Sequence, residues 1–148
     1  MLDAWIAFRA GDVPPRMVKP TSLALRNLIA QIEARSRSRS RDASIDVAYA
    51  SNDLQLRYRR VVKVDTRRFE LWVRRALVDA TAGSLGGTRS DVVTLEWLRD
   101  RIAQSLDPVT LVRLDSLVGE MGGAVVEEDL TAAAHAARDL RTVMSGLI

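Results

Sequence analysis

The chain has 148 residues, of which 47% are hydrophobic and 28% charged, a composition typical of a globular protein with a core of its own. It has no cysteine and one histidine, which excludes disulfides, thiolate metal sites and histidine clusters, so no metal or other cofactor is expected. No stretch approaches the roughly 20 apolar residues that cross a bilayer. The first residues lack the pattern of a secretory signal, and a cytoplasmic location is therefore expected.

The net charge of +3 is unevenly distributed along the chain. Residues 35–75 contain 12 basic and five acidic side chains, whereas residues 76–148 contain six basic and eleven acidic ones. This asymmetry predicts two surfaces with different partners. The basic segment favours nucleic acid, and the acidic segment favours contact with a neighbouring protein.

The first predicted elements precede the basic segment. Residues 2–9 have the composition of a short helix, and a proline-containing loop follows it and ends at Pro20. Thr21 is a suitable N-cap for the next helix, in which Leu25, Leu28 and Ile32 recur at helical spacing.

The run from Arg35 to Arg41 alternates arginine with serine and contains no apolar residue. It fits a solvated extension of the preceding helix or a flexible loop. Like charges four residues apart repel each other on a helix by a few tenths of a kcal/mol, which favours the loop. We expect a mobile loop near 35–44 that becomes ordered on an anionic partner.

Residues 45–64 fit two structures. Apolar residues alternate over 45–49 and again over 54–58 with a turn between them, which predicts a short β-hairpin. Leu54, Tyr58 and Val61 also have helical spacing. The strongly helical neighbours favour a helix.

The following segment, 66–80, has an unambiguous helical pattern. Phe69, Trp72, Val73 and Ala76 form one apolar stripe, and Gly83 ends the helix. The arginines of this segment lie largely off the stripe, so they are expected on a solvated face supported by a rigid core.

The remaining residues predict three more helices. The first starts near Ser90 or Thr88 after a loop containing Gly86 and Gly87. The second starts at Asp107-Pro108 and ends at the glycine pair 122–123. The last begins near Glu127, where acidic side chains suit the helix dipole. The predicted fold is all-α: a single helical bundle of about five or six helices that forms one domain over 1–148.

No catalytic arrangement can be assembled from this sequence. His135 is the only histidine, and neither glycine pair is followed by the lysine and hydroxyl residue of a phosphate-binding loop. The chain is therefore not expected to be an enzyme or to bind a small molecule.

Phosphate contact is the chemistry that the basic residues predict, because guanidinium groups bind phosphate oxygens through paired hydrogen bonds. Tyr58 is the one aromatic residue kept open for stacking on an unpaired base, since Phe69 and Trp72 belong to the apolar stripe. The predicted nucleic-acid-binding residues are Arg35, Arg37, Arg39, Arg41, Arg57, Arg59, Arg60, Lys63, Arg67, Arg68, Arg74 and Arg75.

A small, cysteine-free helical chain with the basic run from Arg57 to Arg75 resembles the small subunits of multi-subunit (class 1) CRISPR effector complexes. The resemblance implies a non-catalytic subunit of a ribonucleoprotein that assembles in several copies and contacts the backbone of RNA or single-stranded DNA. Two alternatives remain. One is a DNA-binding regulator or phage packaging subunit, although no helix-turn-helix spacing is found. The other is a helical adaptor that contacts only proteins.

Overall fold

A computed structural model describes residues 1–11 and 13–147, and the described chain is all-α. The prediction of a helical bundle is confirmed, with seven α-helices close to the expected five or six. No strand occurs among the described residues, so the alternative hairpin over 45–64 is not formed. Within the same residues, no helix is both long and apolar enough to cross a membrane. The helices are α1 (Leu2–Arg9), α2 (Pro15–Glu33), α3 (Arg37–Gln55), α4 (Val61–Thr81), α5 (Leu85–Ile102), α6 (Pro108–Val126) and α7 (Leu130–Ser145), with a 3₁₀ turn at Ala103–Ser105 after α5.

The chain divides into two compact units, residues 1–59 and 60–148, and the single-domain organisation stays a prediction. In the first unit, α2 packs along α3 and α1 packs on α2. The buried Trp5 of α1 donates a hydrogen bond from Nε1 to Ser22 Oγ, 2.8 Å away. The expected loop ending at Pro20 is wrong, because α2 begins at Pro15, where a missing N–H costs nothing, and continues through Pro20.

The Arg-Ser run is helical where a loop was predicted. Arg37–Arg41 form the first turns of α3, which continues into the buried Ala43 and Ile45. The burial of these side chains outweighs like-charge repulsion of a few tenths of a kcal/mol per pair.

Arg35 has a φ of 53° in the turn between α2 and α3. The turn is a Schellman motif, in which the N–H groups of Arg35 and Ser36 bond to the carbonyls of Ile32 and Gln31.

The second unit is a bundle in which α4 contacts α5 and α7, and α6 contacts the same two helices. Short connections between consecutive helices give an antiparallel arrangement. The fully buried side chains of its core include Phe69, Leu95, Leu98, Leu114 and Leu140. The apolar stripe predicted for 66–80 is therefore the α4 contribution to this core.

Several predicted helix boundaries in the second unit are wrong, and two of them lie at glycine pairs. Gly86 and Gly87 lie inside α5, which begins at Leu85. The pair 122–123 does not end α6, because the buried Met121, Ala124 and Val125 hold the helix together up to Val126. Core packing thus overrides the low helix propensity of glycine, about 1 kcal/mol per residue.

The start of α7 also lies later than predicted. Glu128 is in the left-handed region (φ 59°) of a second Schellman turn, so it cannot open the helix. Asp129 is the N-cap, and its side chain accepts from the Ala132 N–H. The N-cap at Asp107 with Pro108 in the first position of α6 is confirmed, since the Asp107 carboxylate accepts from the N–H groups of Val109 and Thr110.

Candidate nucleic-acid interface

The first group of predicted basic residues lies around the turn between α2 and α3. Arg35, Arg37, Arg39 and Arg41 are all exposed. α3 has no acidic residue in its first turn to offset their charge. The structure therefore presents four guanidinium groups to solvent on a hydrogen-bonded turn and a helix, where the sequence predicted a loop.

The second group follows the C-terminal end of α3. Arg57 and Arg59 are exposed, and Tyr58 between them has 73% of its surface exposed. Because a helix rises about 1.5 Å per residue, the 19 residues of α3 separate this group from the first by roughly 28 Å. The basic residues of the first unit thus form two patches rather than one.

The third group begins the second unit. Arg60 and Lys63 are exposed at the start of α4, and Arg67 is half-buried one turn further along. These residues share the side of α4 that also carries Glu70 and Arg74.

Arg68 is engaged inside the second unit. Its Nη1 donates to Asp65 Oδ1 at 2.9 Å, and only 15% of its side chain is exposed. Arg101 of α5 donates from Nε and Nη2 to Asp65 Oδ2, at 2.9 and 2.7 Å. Asp65 itself is 2% exposed, and its two carboxylate oxygens accept hydrogen bonds from the two guanidinium groups, which compensates for its burial. The pairing of Arg101 with Asp65 spans 36 positions and has no local signal in the sequence.

The last two predicted residues of α4 also have internal contacts. Arg74 forms an ion pair with Glu70 one turn away and remains about half exposed. The Arg75 guanidinium lies 5.5 Å from the centre of the Trp72 ring, a cation–π distance. The four arginines of 66–80 are therefore not equivalent, and Arg68 and Arg75 contribute to the packing of α4 and α5.

Exposed aromatic residues lie beside arginines in both units. Tyr58, the one aromatic residue kept as a candidate for stacking on a base, has an exposed side chain, and its role in stacking stays a prediction. Trp97 of α5, which the sequence did not single out, has 54% of its surface exposed and lies 4.9 Å from the Arg101 guanidinium. Phe69 is fully buried, which confirms its assignment to the core, and Trp72 packs against the core from a half-buried position.

A buried acidic residue lies where α4 meets α5. Asp91 is 2% exposed, and its Oδ2 has no hydrogen-bond partner. Burial, together with the nearby Asp79 carboxylate, raises the pKa of Asp91 to about 7, although the charge of Arg75 opposes the shift. Gly87 makes room for this arrangement, since a Cβ there would lie 2.3 Å from Asp79 Oδ2.

Metal-binding clusters and cavities are the remaining features that could hold a ligand. Among the described residues, no group of three or more histidine, cysteine or acidic side chains is placed to hold a metal ion. A groove of about 280 Å³ in the first unit is lined by apolar side chains of α1 to α3 together with Arg16 and Arg57. No protein-family model, curated protein or solved structure matches this chain.

Proposed function

We propose that this chain is a non-catalytic nucleic-acid-binding subunit of a ribonucleoprotein assembly, in which exposed arginines contact the phosphate backbone of a guide or target strand. The observation that carries the proposal is the exposure of Arg35 on a hydrogen-bonded turn and of Arg37, Arg39 and Arg41 on the first turns of α3. A backbone that is already ordered loses less conformational entropy on binding than a mobile loop does, and this favours contact through the side chains that it carries.

A second patch supports the same proposal. Arg57 and Arg59 flank the exposed Tyr58 after α3. Positive side chains around an open aromatic ring suit a single strand, because the ring stacks on an unpaired base while the cations neutralise phosphates. RNA or single-stranded DNA is therefore the proposed ligand.

The structure changes the weight given to the individual arginines. Arg68 holds the buried Asp65, so we assign it to stability. Arg59, Arg60 and Lys63 are exposed and stay in the proposed interface, as do Arg67 and Arg74 on the same side of α4. Arg75 lies on the Trp72 ring and has a smaller proposed part in binding.

We further propose that the chain works beside copies of itself and other subunits, as the small subunits of class 1 CRISPR effector complexes do. The acidic balance of residues 76–148 supports this, because a negative surface avoids nucleic acid and suits a protein neighbour. A free DNA-binding regulator, a phage packaging subunit and a purely protein-binding adaptor are the alternatives, and the following experiment tests the adaptor against the classes that bind nucleic acid.

Fluorescence anisotropy with labelled single- and double-stranded DNA and RNA, measured across a salt series, tests the proposal. Replacing Arg37, Arg39 and Arg41 by alanine removes up to three phosphate contacts, so the salt slope on a single strand should fall by about 2. Alanine also favours the helix, so α3 should remain folded.

The matched control replaces three exposed arginines elsewhere, Arg89, Arg138 and Arg141, by alanine. This triple variant changes the net charge equally but should leave most of the affinity intact. An equal loss in both triple variants would show that only net charge matters. If the chain bound no nucleic acid at low salt but bound an acidic protein, the proposal would be refuted and the protein-binding adaptor would be favoured.

A further inference from the structure

The outward face of α6 carries a regular row of apolar and small residues. Val109, Val112 and Val126 are 79%, 69% and 80% exposed. Single exposed valines are common on protein surfaces, but these belong to a row with alternating spacings of three and four residues over the whole helix. We name this row the α6 seam; it consists of Val109, Val112, Ser116, Gly119, Gly123 and Val126, all exposed.

The α6 seam lies opposite the side of α6 that enters the core. Leu114, Leu117, Met121 and Val125 are buried on the other side of the helix. The residues of the α6 seam therefore do not pack in the core of the bundle. Their spacing is nevertheless the spacing found in helices that pack in pairs. A Cβ added at Gly119 or Gly123 would meet nothing within 4 Å, so the seam is open at its centre.

We propose that the α6 seam is the interface of a homodimer in which α6 packs antiparallel against α6 of a second copy. With a two-fold axis between Ser116 and Gly119, Val112 meets Gly123 of the second copy and Val109 meets its Val126. The glycines let the two backbones approach closely, and the valines fill the space above them. Each contact occurs twice, as a two-fold interface requires.

The charges beside the seam select the second copy and the antiparallel direction. Arg113 and Glu120 lie seven residues apart on one flank of the α6 seam. In an antiparallel pair, Arg113 faces Glu120 of the second copy, and the symmetry gives two such ion pairs. A parallel pair would instead give Arg113 no acidic partner across the seam, and it would bring Glu120 near Asp115, whose carboxylate is already paired with Arg99 at 2.6 Å. Ser116 Oγ donates to Glu120 Oε1 at 2.8 Å, which holds Glu120 on the helix surface.

This proposal gives a surface to the self-association in the proposed function, but it does not depend on nucleic acid. One helix pair buries less than the ~800 Å² per partner of a standard interface, so the dissociation constant is expected in the micromolar range. The dimer is measured without nucleic acid, so its failure would leave the arginine contacts untouched, and failed nucleic-acid binding would leave the dimer untouched.

Sedimentation equilibrium of the full chain from about 1 to 500 μM tests the interface. Gly119→Leu should raise the dissociation constant at least tenfold, because the new side chain separates the helices while improving helix propensity in the monomer. Gly86→Leu is the matched control, since a Cβ at Gly86 on α5 also meets nothing within 4 Å. A monomer at every concentration, or equal dimers in both variants, would overturn the proposal.

Charge reversal tests the direction of the helices. Arg113→Glu and Glu120→Arg should each weaken the dimer, and the double variant should restore it, because the opposite charges then face each other again. In addition, the chain has no cysteine of its own. Oxidation of a mixture of Ser116→Cys and Gly119→Cys chains should therefore link the two variants to each other. Links mainly between identical variants, or a double variant weaker than either single one, would refute antiparallel pairing.

Discussion

Replacing Asp91 by asparagine should make the protein more stable at pH 8 and change it little at pH 4. The pKa of Asp91 is raised from 3.8 to about 7, mainly by burial and then by the Asp79 carboxylate on α4. The charge of Arg75, also on α4, opposes the shift. Asparagine has the shape of the protonated acid and cannot ionise, so it removes the cost of the buried charge. Its amide can also donate a hydrogen bond to Asp79.

The sign follows from proton binding in the two states. In the unfolded chain, Asp91 loses its proton near pH 4, whereas the folded chain keeps it until about pH 7. The folded state binds more protons over this window, so its free energy of unfolding falls as the pH rises from 4 to 7 and then levels off. At about 1.4 kcal/mol per pKa unit, the loss has an upper limit of about 4 kcal/mol.

Urea denaturation of the parent and the variants, at intervals between about pH 2 and pH 8, measures this effect and also covers the window below pH 4 that the control needs. The difference in unfolding free energy between Asp91→Asn and the parent should grow in favour of the variant and reach a plateau above pH 7. Asp107→Asn is the control with the opposite sign, because hydrogen bonds from Thr110 and from the Val109 N–H lower the pKa of Asp107. The parent should therefore lose its advantage over that variant as the pH falls below 4. A difference at Asp91 that does not change with pH would refute the reasoning.

Two further predictions concern the packing of α4 on α5. Gly86→Ala should raise the free energy of unfolding by about 0.5–1 kcal/mol. Gly87→Ala should not raise it, because a Cβ at position 87 would lie 2.3 Å from Asp79 Oδ2. A comparison of the melting curves of the two variants tests this. Arg101→Ala should destabilise the protein by about 2 kcal/mol, because it leaves the buried Asp65 carboxylate with one cation fewer. A double-mutant cycle with Asp65→Asn measures the coupling, and additive effects would argue against it.

Local sequence patterns predicted the structure correctly where a single local effect, such as helix periodicity or capping, determines it. The stripe around Phe69 predicted the core side of α4, and Asp107-Pro108 predicted the first residue of α6. Both depend on helix geometry and capping within a few residues, which the sequence contains in full. The all-α class followed from the same periodicity.

The tertiary structure decided the helix boundaries and the roles of the basic residues. The Arg-Ser run is helical because α3 buries Ala43 and Ile45, and α6 passes through its glycine pair because Met121 and Ala124 are buried. The sequence pattern assigned all four arginines of 66–80 to the predicted binding site, but Arg68 is held by Asp65 together with Arg101. Sequence patterns reflect the interactions between residues that are close together along the chain. Burial and ion pairing across the bundle involve residues far apart in sequence, and they are stronger than a helix propensity or a surface repulsion.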